Sequence, residues 1–191
     1  KVSSFNGLLL WEPWEVLKDD GTPYKVFTPY YKRGCLSKPP PREPKETNLK
    51  IYDHNFKQTS LKDLKLLKNK KWEEKILTNW KISEVEAKNT MKSFFLNGVS
   101  DYSEGRNFPS KKNVSRLSPY IHWGQISVNT LWYNTMNISK TMSSNSAEVF
   151  MSELGWREFA YYLLFHSPNL QTENLQNKFD RFPWNNDERF Y

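Results

Sequence analysis

The chain has 191 residues, a net charge of +7 and many aromatic side chains, with 8 Trp, 10 Tyr and 12 Phe. Such an aromatic content can bury a large apolar area, which argues against disorder, and no apolar run approaches the roughly 18 residues of a membrane span. The single cysteine, Cys35, excludes a disulfide framework and a cysteine-based zinc site. Because the sequence begins at Lys1 without an initiator methionine, we expect a fragment of a longer protein.

The first third of the chain predicts short strands followed by a linker. Residues 7–11 form an apolar run typical of a buried strand, and residues 24–27 predict either a second strand or the start of a helix. Residues 39–41 are three prolines, which favour an extended conformation and cannot continue a helix. We therefore predict a linker that is ordered only where leucines dock, namely Leu61, Leu64, Leu66 and Leu67.

The remainder of the chain predicts helices, the first over residues 72–80. A second helix has Ser83 as its N-cap, with Glu86 completing a capping box, and stops at Gly98. Its inner stripe consists of Ala87, Met91, Phe94 and Phe95. A short helix opens at Ser118 and another follows the cap Ser127, and a long helix spans residues 146–166. The fold class is therefore mainly α.

Basic charge is concentrated in the first part of the chain. Residues 1–114 hold 22 basic and 14 acidic side chains, whereas residues 115–191 hold 6 and 7, and many of the lysines lie between residues 50 and 75. A basic patch of this kind attracts polyanions such as nucleic acids. A solvated, lysine-rich surface without a ligand explains the same lysines.

The long helix carries the most informative pattern. Four residues fall on one of its faces, Glu153, Trp156, Arg157 and Ala160, and apolar side chains cover much of the remainder, Leu154, Phe159, Leu163 and Phe165. A carboxylate, an aromatic plate and a cation on one face can line a ligand cavity. The alternative is an ion pair between Glu153 and Arg157 beside a core tryptophan.

A second candidate site lies at residues 115–119, with the sequence SRLSP. Hydroxyls and backbone amides at a helix start, next to Arg116, suit a phosphate or pyrophosphate, and an ordinary N-cap is the alternative. The three histidines, His54, His122 and His166, lack metal-ligand spacing. We therefore assign structural roles to them and to Cys35, and expect no metal.

Several ordered motifs together resemble the photolyase/cryptochrome family. They are SRLSPYIHWGQIS at residues 115–127, ELGWREF at 153–159, FPW at 182–184, GRNFP at 105–109 after Tyr102, and KVFTPY at 25–30. The similarity is greatest to bacterial class I cyclobutane pyrimidine dimer photolyases. It implies that residues 1–35 end an α/β antenna domain, that residues 36–80 connect the domains, and that residues 81–191 begin a helical FAD-binding domain.

The resemblance also implies site residues. The expected FAD contacts are Tyr102, Val114, Ser115, Arg116, Leu117, Ser118, Phe150 and Arg157, where Val114 and Phe150 replace the threonine and tryptophan common in the family. The expected DNA contacts are Glu153, Leu154, Gly155, Trp156, Arg157, Glu158, Phe159 and Ala160. Among the catalytic residues, Glu153 would hydrogen-bond the pyrimidine dimer, Trp156 would pack against it, and Trp184 would end the tryptophan relay that photoreduces the flavin.

The activity that the resemblance implies is light-driven DNA repair. A dimer inside a duplex must be flipped out to be reached, as base-flipping enzymes do, photolyases among them, and reduced FAD supplies the electron that splits it. We expect UV-damaged DNA as partner, a second antenna chromophore of folate or deazaflavin type, a monomer, and a cytoplasmic location at the nucleoid. We expect the 191-residue piece itself to be inactive.

Two other functions fit parts of the sequence. A cryptochrome-type blue-light photoreceptor shares the family's fold, although Trp156 argues against the plant-type branch. A cofactor-free helical nucleic-acid-binding module would account for the basic patch alone. Visible absorption of the full-length protein separates these, because only a flavoprotein absorbs there.

Overall fold

The computed structural model describes residues 2–45, 50, 59–60, 63–66, 71–142 and 145–183. Regular structure within these ranges is entirely helical, which confirms the mainly α prediction. The helices are α1, a composite of an α-helical turn (Phe27–Pro29), a π-helical turn (Tyr30–Gly34) and a 3-10 turn (Cys35–Ser37); α2, Lys71–Leu77; α3, Glu84–Asn97; α4, Tyr102–Gly105; α5, Ser118–His122; α6, Val128–Ser139; and α7, Ser146–His166. Single 3-10 turns lie at Val99–Asp101 and Asn177–Phe179.

Side-chain caps start two of these helices where the sequence predicts them. The Ser83 hydroxyl accepts a hydrogen bond from the Glu86 amide at 3.1 Å, and the Ser127 hydroxyl accepts one from the Thr130 amide at 3.1 Å. Helix α3 ends at Gly98, and α7 has the predicted bounds. Each cap satisfies an amide that has no partner inside the helix, so these boundaries are determined locally.

The strand predicted at residues 7–11 is wrong. The Asn6 side chain accepts from the amides of Leu8 and Leu9, at 3.2 and 3.0 Å, and the Leu10 amide donates to the Glu158 carboxylate at 2.7 Å. Side-chain oxygens therefore bind the amides that a neighbouring strand would have paired, and the segment turns instead of extending.

For residues 24–27 the helical alternative is confirmed. Helix α1 begins at Phe27, and the Tyr24 amide just before it donates to the Tyr162 hydroxyl of α7 at 2.9 Å. The long helix thus anchors the segment that leads into α1.

The proline-rich segment is docked on the helical body. The Pro39 carbonyl accepts from the Trp11 indole at 3.2 Å, the Pro41 carbonyl from the Tyr133 hydroxyl at 2.5 Å, and the Arg42 carbonyl from the Asn129 amide group at 2.7 Å. An extended proline-rich chain makes no hydrogen bonds of its own, so its carbonyls are available to such donors. Two of the three donors belong to α6.

The predicted docking of the linker through leucines is wrong where the structure describes it. Leu64 and Leu66 are 52% and 73% exposed. Leu61, Leu67 and most of the lysine-rich stretch lie outside the described residues. The linker and domain boundaries stay predictions.

Replacing Asn129 by alanine should lower the free energy of unfolding by about 1–3 kcal/mol, because the buried amide that binds the Arg42 carbonyl is lost. Urea denaturation measures this change, and limited proteolysis should cut near residue 42 faster. Asn134→Ala is the matched control on α6, since the Asn134 amide donates to the Thr130 carbonyl of the same helix. Equal losses in the two variants would contradict the docking.

One apolar core surrounds α7. The helix packs against α4, α6 and the π-helical turn of α1, and the same core includes Leu10, Trp11 and Val16 from the N-terminal segment. Residues on both sides of the predicted domain boundary therefore share one packed interior. None of the helices in the described ranges is both long and apolar enough to cross a membrane.

Candidate functional site

The exposed face of α7 is the one that helical spacing predicts. Glu153 and Arg157 are partly exposed, Ala160 is exposed, and Trp156 is 48% exposed. The residues between them turn inward, so the four side chains form one surface that a ligand can reach.

The predicted DNA contacts at residues 153–160 divide into an exposed half and a buried half. Leu154, Gly155, Glu158 and Phe159 are buried in the core. A helix presents about one face to a partner, so direct contacts are expected from the exposed half, and the DNA contacts themselves stay a prediction. The four buried residues support the exposed face.

Glu153 pairs with Arg106, the residue that follows α4. The Arg106 guanidinium also lies 5.4 Å from the centre of the Tyr102 ring. The hydrogen bond from Arg106 to Glu153 raises the pKa of the guanidinium. The alternative pair between Glu153 and Arg157 is therefore not formed, because each has a different partner.

Arg157 and Glu158 together hold the N-terminal segment. One guanidinium nitrogen of Arg157 lies 2.7 Å from a Glu158 oxygen, another donates to the Leu8 carbonyl at 3.1 Å, and the group lies 5.0 Å from the Tyr161 ring centre. The other Glu158 oxygen accepts from Leu10. Sequence reasoning missed this role of Glu158, although a glutamate on a helix that is apolar on most sides is the signal for a buried, paired carboxylate.

Burial makes the Glu158 carboxyl an unusually weak acid. The side chain is fully buried, and this desolvation raises the pKa of the carboxyl to about 7. Arg157 and the amides of Leu10 and Trp11 act in the opposite direction, since they favour the charged form. Desolvation outweighs them.

The segment 115–118 is not an ordinary N-cap. Leu117 occupies the cap position of α5 without a side-chain hydrogen bond, and it is buried. Arg116 has a φ of 55°, in the left-handed region, and its guanidinium lies 4.6 Å from the Trp80 ring centre. The Ser115 hydroxyl accepts from the Leu117 amide at 3.4 Å. The polar groups are thus held by a tight turn rather than by a capping motif.

Ser118 and Arg157 line the same cavity of about 540 Å³, with Trp123 and Tyr161 among its aromatic walls. A hydroxyl and a guanidinium beside aromatic rings are the donor set that a phosphate-bearing aromatic cofactor requires. The cavity therefore offers a hydroxyl and a guanidinium beside aromatic walls, which suits part of a phosphate-bearing cofactor such as FAD.

The other predicted flavin contacts lie elsewhere. Tyr102 and Phe150 are buried, with ring centres 5.3 Å apart, and both pack against Phe94. Val114 is half exposed. The structure brings Tyr102 and Phe150 together, and Ser118 and Arg157 together, but not the two pairs into one cavity.

The histidines, Cys35 and Trp184 are the remaining candidates. Each either contacts neighbouring protein groups in a structural role or lies outside the described residues. His166 Nε2 is 3.1 Å from the Pro13 carbonyl, and burial raises the pKa of the Cys35 thiol to about 12. His122 packs edge-on against Trp123. His54 and Trp184 fall outside the part of the chain that the structure describes. Over that part, no three His, Cys, Asp or Glu side chains are grouped to hold a metal ion.

Comparison with known proteins supports the family resemblance. Residues 1–46 match the family model "DNA photolyase", and residues 150–191 match "FAD binding domain of DNA photolyase". The chain is 35% identical to a deoxyribodipyrimidine photo-lyase of Agrobacterium fabrum over the whole chain and 40% of that protein. It is 33% identical to one from Alkalihalophilus pseudofirmus over 97% of the chain and 38% of that protein. Cryptochrome-1 of Arabidopsis thaliana is 29% identical, over 100% of the chain and 29% of that protein.

A solved structure gives the same result. A bacterial class III photolyase from Agrobacterium tumefaciens superposes with a TM-score of 0.83 at 34% identity, over 97% of this chain and 39% of that one. The helical fold is therefore that of a photolyase segment. The chain belongs to the photolyase/cryptochrome family, and it spans about two fifths of the length of these photolyases. The class III relative lends no support to the narrower class I resemblance, which stays a prediction.

Proposed function

We propose that the protein to which this chain belongs is a DNA photolyase that splits cyclobutane pyrimidine dimers under blue light. The observation that carries the proposal is the exposed face of α7, where Trp156 offers a flat apolar surface and Glu153 a carboxylate. The adjacent Arg157 lines the cavity that has phosphate-binding chemistry. The photo-lyase relatives support the same activity.

FAD is the proposed cofactor, and when bound it supplies the electron that enters the dimer. Polar groups would hold its phosphates, namely Ser115, Arg116, Ser118 and Arg157. Further contacts proposed from the resemblance are Tyr102, Val114, Leu117 and Phe150, and we propose Trp184 as the outer end of the relay that reduces the flavin. An antenna chromophore of folate or deazaflavin type belongs to the same proposal.

The chain's own residues would bind and orient the lesion. Trp156 would stack against the flipped pyrimidines, since base–aromatic stacking tolerates any base. Glu153 pairs with Arg106 through one carboxylate oxygen, and the other, which has no bond to the described residues, would accept a hydrogen bond from a pyrimidine N–H. Arg106 would thereby hold Glu153 in a fixed orientation at the lesion-binding face.

Damaged DNA is the proposed partner, and the cytoplasm of a bacterial cell the proposed location, with the protein acting as a monomer. The cryptochrome alternative is less favoured, because the photo-lyase relatives are more similar to the chain and Trp156 suits a lesion-binding face.

The test uses the full-length protein with chemically reduced flavin and an oligonucleotide that carries one thymine dimer. Blue light should restore the intact thymines, and darkness should not. Glu153→Ala should lower repair per absorbed photon about tenfold at unchanged lesion affinity, as expected for the loss of one charge-assisted hydrogen bond of about 1.5 kcal/mol. Glu148→Ala, an exposed glutamate on the same helix, is the matched control.

Absence of light-dependent repair by the reduced wild-type protein would refute the proposed function. Wild-type yield in the Glu153→Ala variant would refute only the role of Glu153.

A further inference from the structure

The ring of Trp156 lies on a second aromatic ring, that of Phe27 at the start of α1. The two ring centres are 3.8 Å apart and the planes differ by 13°. One face of the indole is therefore covered. Because the side chain is still 48% exposed, the opposite face and the edges are the parts that meet solvent.

Phe27 is held in place by its other neighbours. It is buried, lies parallel to Tyr31 with ring centres 5.5 Å apart and planes 10° apart, and meets Phe159 edge-on at 5.9 Å. Aromatic pairs in these geometries are favourable beyond the area they bury. Phe27 therefore has little freedom to follow a movement of Trp156.

The stack Trp156–Phe27–Tyr31 is anchored on the backbone of α7. A Cβ atom placed on Gly155 would lie 2.6 Å from the Tyr31 ring, so only glycine leaves room for Tyr31 in its present position. Glycine in a helix interior is unfavourable, and the close approach of this ring accounts for its presence. One end of the stack is therefore Trp156 itself, and the other end, Tyr31, packs on the adjacent residue Gly155 of the same helix.

We infer that Phe27 is a positioning residue that fixes the plane of Trp156 before the lesion arrives. This inference rests on the proposed function, in which Trp156 packs against the flipped pyrimidines. An unsupported indole on a helix surface would lose rotational freedom when a base stacks on it, whereas one already fixed by Phe27 does not. Phe27 lies in the segment that the family resemblance assigns to the antenna domain, so that segment would prepare the lesion-binding surface.

The test compares variants of the full-length protein in the dark, with affinity for dimer-containing and undamaged oligonucleotides as the readout. Phe27→Leu and Phe27→Met both remove the ring and keep an apolar side chain of similar size. Each should weaken binding of damaged DNA about three- to tenfold, the range expected for ordering one side chain, with undamaged DNA and flavin content unaffected. Phe27→Tyr keeps the ring and should restore wild-type discrimination.

Phe165→Leu is the matched control, because Phe165 is a half-exposed phenylalanine on α7 that contacts Trp14 and His166 instead. Wild-type discrimination in Phe27→Leu and Phe27→Met would overturn the inference. So would a loss that Phe27→Tyr fails to restore, or one that merely follows the melting temperature.

A double variant separates this inference from the proposed function. In a Trp156→Ala background, Phe27→Leu should have no additional effect on discrimination, because Phe27 acts through the indole. If Trp156→Ala itself binds both oligonucleotides as wild type does, the proposed function of Trp156 fails. If Trp156→Ala loses discrimination while Phe27→Leu keeps it, only the role of Phe27 fails.

Discussion

Trp156→Ala should reduce the preference of the full-length protein for damaged over undamaged DNA by about ten- to a hundredfold, the value of stacking one base on an aromatic ring. The reason is that, of the four residues that form the exposed face of α7, only Trp156 has an aromatic ring on which a base can stack. Flavin content should not change, because Trp156 is not among the residues that line the cavity shared by Ser118 and Arg157. Competition binding in the dark measures the preference, and absorption measures the flavin.

Trp14→Ala provides the matched control. Trp14 is 55% exposed and contacts Phe165 near the far end of α7. The substitution removes a tryptophan whose exposure is similar to that of Trp156 but which lies away from the proposed lesion-binding face. If Trp156 served only to pack on Phe27, its loss would lower melting temperature and flavin occupancy together without a selective effect on damaged DNA.

The second large effect concerns Glu158 and pH. The carboxyl has a pKa of about 7 in the folded protein, against an ordinary value of 4.5 once unfolded. The folded state therefore holds the proton more tightly. The resulting stabilisation is complete below about pH 4.5 and is lost as the pH rises through 7, an effect on the order of 3 kcal/mol.

Glu158→Gln removes the titration and keeps a polar side chain of the same size. The free energy of unfolding of this variant, relative to wild type, should therefore rise between pH 5 and pH 8, as urea denaturation at several pH values will measure. The groups that face Glu158 are Arg157, Tyr30 and Cys35. Glu148→Gln, on the exposed side of the same helix, is the matched control. A relative stability that falls with pH would mean that the ion pair with Arg157 outweighs the cost of burial.

Local patterns explain why much of the helical part could be predicted. The caps Ser83 and Ser127 act on amides three residues away, and the face of α7 follows from 3.6 residues per turn. These caps and this face depend on residues that are close in the sequence. The sequence alone is therefore sufficient to predict them.

The errors involve partners that are distant in the sequence. Residues 7–11 have the sequence pattern of a strand, but the Leu10 amide donates to the Glu158 carboxylate. No local sequence pattern predicts that contact. Helical spacing places Arg157 next to Glu153, but the partner of Glu153 is Arg106, which follows α4. The buried half of residues 153–160 likewise follows from what packs on α7, including Tyr31 against Gly155.

The bond between Leu10 and Glu158 also determines when this part of the molecule can fold. Its two ends are separated by 148 positions, so at ordinary translation rates Leu10 is synthesised roughly 7 to 30 seconds before Glu158. During that interval the apolar side chains of the N-terminal segment have no α7 to pack against. The N-terminal segment can therefore pack into the core around α7 only after that helix has been synthesised.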